Sequence, residues 1–70
     1  KFSNPFREHI NLHLPKNGKI MLYNVAGQCL ISQPVSEGNN RIETGDITSG
    51  IFILFIEFDG KIFTEKLIKN

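Results

Sequence analysis

Ser49–Asn70 reads SGIFILFIEFDGKIFTEKLIKN, and its pattern decides the fold. From Ile51 to Ile56 every residue is apolar. Ile51, Ile53 and Phe55 fall on one parity, Phe52, Leu54 and Ile56 on the other. A strand apolar on both faces is expected at the centre of a sheet, covered on both sides or nearly so. Asp59-Gly60 follows, a strong signal for a type I′ hairpin. Lys61–Lys69 then returns as a partner strand. In it, Ile62 and Ile68 share one parity and Phe63 and Leu67 the other, so its orientation is ambiguous. The segment carries Lys61, Lys66 and Lys69.

Upstream, helix signals are nearly absent, and strand signals recur every eight to twelve residues, as in a sandwich or barrel. EHINLHL alternates cleanly, with Ile10, Leu12 and Leu14 facing one way and His9, Asn11 and His13 the other. Pro15 ends that segment because it cannot donate a ladder hydrogen bond. Asn17-Gly18 predicts a tight hairpin into a second strand, Lys19–Val25. The AGQ turn, with Gly27 at positive φ, leads into QCLISQPV, a third strand expected to break at Pro34. Ser36–Asn40 reads as a loop. NRIETGDI reads as a short fourth strand with Ile42 and Ile47 pointing inward. Six strands, or seven if KFSNPF adds an edge, predict an all-β, Ig-like antiparallel sandwich in one domain spanning 1–70.

Composition narrows the function. The chain has 70 residues, 40% hydrophobic and 21% charged, with a net charge of +1. Those values suit one small globular core and argue against bulk attraction to nucleic acid or membrane. No apolar run approaches the ~20 residues that span a bilayer. A start without Met predicts a piece excised from the C-terminal end of a longer protein. The single cysteine, Cys29, allows no internal disulfide and reads as a small buried apolar residue.

Little in the chain suggests catalysis. His9 and His13 share a strand face but stand about 13 Å apart at ~3.4 Å per residue, too far for one metal ion. The seven acidic residues are scattered, and Asp46 and Asp59 read as turn residues. No nucleophile elbow or phosphate loop occurs. Neither an enzyme nor a cofactor is expected. Phe52, Phe55, Phe58 and Phe63 read as core rather than as an RNA-stacking platform. For Lys66 and Lys69, two readings stand level. Lysines protect an edge strand from pairing with strangers, or they form a tag read by strand addition and charge.

The order of short motifs separates them. NPF near the start, KIMLYNVAGQCL in the middle, DITSGIFILFI later and KLIK at the end resemble the C-terminal sorting domain of the type IX secretion system, the Por secretion tail of Bacteroidetes. Asn4-Pro5 match the second half of the family's Pro-Asn-Pro, with Ser3 in place of the leading proline. Leu22, Tyr23, Asn24, Gly27 and Gln28 match its apolar-Tyr-Asn, two residues, Gly-Gln pattern. Gly50, Ile51 and Phe52 match a Gly-apolar-Tyr stretch, with Phe for Tyr. Lys66, Leu67, Ile68 and Lys69 match the closing Lys-apolar-apolar-Lys.

The resemblance implies a sorting signal carried behind an N-terminal cargo. It implies folding in the periplasm in transit and recognition by an outer-membrane translocon with its shuttle protein. Removal by a sortase-like peptidase and delivery of cargo to the cell surface or medium would follow. Within that reading Gly50, Lys66, Leu67, Ile68 and Lys69 carry recognition or present the recognised strand. The bland alternatives are that Gly50 only turns the chain and Leu67 only fills the core. Two rival functions remain: an Ig-like accessory module that binds carbohydrate or acts as a spacer, and an assembly module that dimerises through a strand edge.

Overall fold

A computed structural model describes residues 8–69. Six strands form: β1 (His9–Leu14), β2 (Gly18–Asn24), β3 (Cys29–Val35), β4 (Gly38–Glu43), β5 (Gly50–Phe58) and β6 (Lys61–Lys69). The described residues contain no helix. All pairings are antiparallel. β1 and β4 make a two-stranded sheet, and the order β3-β2-β5-β6 makes a four-stranded one. The two layers form a small β-sandwich, as the strand spacing predicted.

The core comes from alternation. Ile10, Leu12, Leu14 and Ile42 point inward from the smaller sheet. Ile20, Leu22, Val35, Phe52, Leu54, Ile56 and Leu67 meet them from the larger one. A two-stranded ribbon alone is marginal in water. β1 and β4 are held by this packing as much as by their own ladder. Ile47 and Phe58 pack against the same cluster from its margin.

Three connections carry the chain from one sheet to the other, and sequence patterns misread the first two. Asn17-Gly18 is not a hairpin. β1 pairs with β4, so at this point the chain leaves the small sheet for the large one. Neither residue has a positive φ, which a type I′ turn requires at both positions. Gly18 serves a different need. A Cβ there would lie 2.1 Å from the Glu57 carbonyl oxygen and 2.9 Å from Phe58 Cβ. The Asn17 side-chain oxygen accepts from the Glu37 amide at 2.8 Å, joining the first connection to the second. The expected loop Ser36–Asn40 shrinks, because β4 begins at Gly38. Asn40 braces that start, accepting from the Ser36 amide at 2.9 Å and donating to the Ser36 carbonyl at 2.7 Å.

Other expectations divide. Asp59 and Gly60 both take positive φ, as a type I′ turn requires, and Gly27 has φ 87°. Pro34 does not break β3. It pairs with Lys19 inside an edge strand, where a missing amide is tolerated. Cys29 is exposed rather than buried, since it opens that same edge strand beside a bulge. Phe63 is not a core residue: it is nearly half exposed at the margin, its ring stacked on that of Phe58 at 5.2 Å. β5 lies inside its sheet, flanked by β2 and β6, but only its Phe52, Leu54 and Ile56 face is buried. Ile51 is exposed, and Ile53 and Phe55 are half-buried, because among the described residues no second layer covers the outer face. KFSNPF lies outside the described residues, as do the motif residues Asn4 and Pro5.

Candidate functional site

β6 pairs with β5 along its whole length, from Lys61 opposite Phe58 to Lys69 opposite Gly50. Period-two alternation therefore splits the closing motif between two faces. Leu67 is 0% exposed and packs inward, opposite Phe52. Ile68 is 43% exposed and points outward, opposite the exposed Ile51. Lys66 shares that outer face, opposite Ile53, and is exposed.

Both readings of the closing lysines, edge protection and charged tag, call for accessible ammonium groups, and Lys69 is not accessible. It is 8% exposed. Its ammonium donates to the Thr44 carbonyl at 2.6 Å, to the Ile47 carbonyl, and more loosely to the Gly45 carbonyl at 3.4 Å. The ammonium thus finds backbone acceptors in place of water. Gly50 sits opposite Lys69 at φ 154°, a conformation that side chains rarely adopt. It opens β5, in register with the last lysine.

The middle motif has a separate structural task. Leu22 is a core residue. Tyr23 lies on the outer face, its ring 5.2 Å from that of Phe55 in an edge-on contact. The Asn24 side-chain oxygen accepts from the Ala26 and Gln28 amides, each at 3.0 Å. Its side-chain nitrogen donates to Gln28 Oε1 at 2.8 Å. Two backbone bonds close the same turn, Asn24 N to Gln28 O and Gly27 N to Asn24 O, both 3.0 Å. Asn24, Gly27 and Gln28 thus shape the β2–β3 turn, and Phe52, the ring in the Gly-apolar-aromatic stretch, is buried.

The ordered motifs and the two-layer fold converge on one family. A secretion-system C-terminal sorting domain model matches residues 2–70. The chain belongs to that family. Comparison with curated proteins and with solved structures gives no match. The sorting domain is a C-terminal signal of type IX secretion, which directs export through the outer membrane to the cell surface or the medium. The family is not an enzymatic one.

Among the described residues no group of three or more His, Cys, Asp or Glu could hold a metal ion. His13 Nδ1 lies 2.9 Å from Asn39 Oδ1, a pairing across the smaller sheet. Tyr23, the one tyrosine, packs edge-on to Phe55. Two features escaped sequence reasoning. One is the set of carbonyls around Lys69, which no side-chain pattern announces. The other is the outer face of the larger sheet, where Met21, Tyr23, Ile53, Phe55 and Ile62 line a shallow apolar groove. Its signal was present in the second apolar parity of Ile51–Phe55.

Proposed function

We propose that the type IX machinery reads the sorting domain at the C-terminal half of β6, through Gly50, Lys66, Leu67, Ile68 and Lys69. The observation that carries this reading is the division of the closing motif. Lys66 and Ile68 are exposed side by side on the outer face, next to Ile51, while Leu67 and Lys69 anchor the strand beneath them. A cation beside an apolar strip is a surface that an outer-membrane translocon or its shuttle protein can bind by charge and contact together. Gly50 contributes by fixing the register of β5 against that strand.

In this reading the 70 residues are the terminal domain of a longer secreted chain, with the cargo on the N-terminal side. The domain folds in the periplasm, engages the shuttle and translocon, and is then removed by a sortase-like peptidase. It has no catalytic role.

The test is export of a reporter fused ahead of residues 1–70 in a type IX-competent host. Deleting residues 61–70 would remove a whole strand along with buried Leu67, and would confound signal with fold. Lys66→Ser combined with Ile68→Ser is sharper. It is expected to leave a folded, soluble fusion that stays in the periplasm. Undiminished export of that variant refutes recognition through the outer face of β6.

A further inference from the structure

The two lysines of the closing motif have opposite surroundings. Lys66 is exposed, whereas Lys69 is sealed against the connection that returns the chain from β4 to β5. An ammonium carries three N–H donors, and three carbonyls of that connection converge on it: Thr44, Gly45 and Ile47. Their dipoles replace the water that the cation gave up, without which burial would be prohibitive. The same corner is tied twice more. The Thr44 carbonyl also accepts from the Ile47 amide at 3.1 Å, and the Thr44 amide donates to the Glu8 carbonyl at 2.8 Å. The end of β6, the β4–β5 connection and the residue leading into β1 thus share one hydrogen-bonded junction centred on Thr44.

We propose that Lys69 is a latch. Its ammonium holds the end of β6 shut against the Thr44–Ile47 turn, and it becomes available to a partner only when that end withdraws from the sheet. The proposal rests on the reading of β6 as the recognised strand. In the closed domain a partner meets Lys66 and Ile68. In the opened one it gains Lys69 and the apolar side chain of Leu67, which are otherwise covered. The ends of structural elements open more readily than the domain unfolds. A partner that binds only the open form shifts that balance by its preference for it. The latch therefore gives a two-stage signal, with an outer pair legible at once and an inner pair legible after opening.

The experiment uses the full chain with its reporter cargo. Lysines are acylated with an N-hydroxysuccinimide acetate reagent and mapped by mass spectrometry, while amide hydrogen exchange is followed in parallel. Lys69 is expected to react at least tenfold more slowly than Lys66, yet with protection at least tenfold below that of the β2 amides. Equal reactivity of the two lysines overturns the latch by showing that Lys69 is not held. Protection of Lys69 equal to that of β2 overturns it by showing that Lys69 emerges only on global unfolding. In Lys69→Gln, amide exchange across 44–49 and 66–69 is expected to quicken at least tenfold with β2 unchanged, and unaltered exchange at 44–49 overturns the latch as well. The measurements on the unaltered chain decide the matter even where Lys69→Gln does not fold. Export of the Lys66→Ser, Ile68→Ser variant reports on recognition alone. Undiminished export there ends the reading of the outer face of β6 as the recognised surface, whereas the exchange results judge the latch separately.

Discussion

Leu67 and Ile68 are chemically alike neighbours, but the structure predicts very different costs for truncating them. Leu67 is fully buried opposite Phe52, and Leu→Ala at such a site costs ~2–5 kcal/mol through lost transfer energy and a residual cavity. β6 is an edge strand, paired on one side only, and can relax partly into the space left, so Leu67→Ala is expected near 3 kcal/mol, about the middle of that range. A chain of 70 residues has a total stability of roughly 4–10 kcal/mol. One substitution thus removes a third or more of it. Ile68 is 43% exposed. Its truncation forfeits only part of the ~0.8 kcal/mol per buried methylene, and about 1 kcal/mol is expected. Urea denaturation of both variants beside the parent, with m-values compared, measures the difference. At ~4–8 °C per kcal/mol for a domain of this size, the midpoint gap in a thermal scan should exceed about 8 °C. Equal losses would mean that β6 does not present alternate residues to opposite faces, and would refute the placement of the closing motif.

Three further outcomes check other parts of the structure. Asn24→Ala removes three side-chain hydrogen bonds from an exposed turn and is expected to cost about 1–2 kcal/mol, with Asn24→Asp costing less because a side-chain oxygen remains to accept from both backbone amides; chemical denaturation measures each. Gly18→Ala drives a methyl group into the Glu57 carbonyl and is expected to lose about 2 kcal/mol as β2 and β5 move apart, seen as faster amide exchange along both strands. Cys29 is expected to react with Ellman's reagent in the folded domain at close to its rate in denaturant, and full protection would contradict its position on the exposed edge strand.

Much of the fold was legible because alternation is a local property. His9–Leu14 shows its buried face in the sequence, and Asp59-Gly60 supplies the backbone that a two-residue turn needs. Asn17-Gly18 misled for a physical reason. The same dipeptide suits a hairpin or a close backbone approach, and only the pairing of β1 with distant β4 selects the second. The double apolar parity of Ile51–Ile56 was legible, but its cause was not. It predicts cover on both faces, whereas among the described residues the outer face meets side chains from its own sheet alone. Lys69 was least legible of all. Lysine is almost never fully buried, and the carbonyls that make its burial tolerable belong to backbone 22–25 residues away.

The arrangement of the closing motif sets how export data on this domain are to be read. Because successive residues of β6 face opposite ways, an alanine scan across Lys66–Lys69 samples two properties by turns. Lys66 and Ile68 report on the surface, Leu67 and Lys69 on the integrity of the sheet end. A loss of export at Leu67 or Lys69 therefore says nothing about recognition until it is set against stability. An unfolded tail and an unread tail both stay behind the outer membrane. Conservative replacements resolve the two. Leu67→Met keeps apolar volume at a cost of under about 1.5 kcal/mol, and is expected to export normally if Leu67 acts only from within the core. Failure of that variant to export while its denaturation midpoint stays near the parent's would assign Leu67 to direct contact, and would require the end of β6 to leave the sheet when it is read.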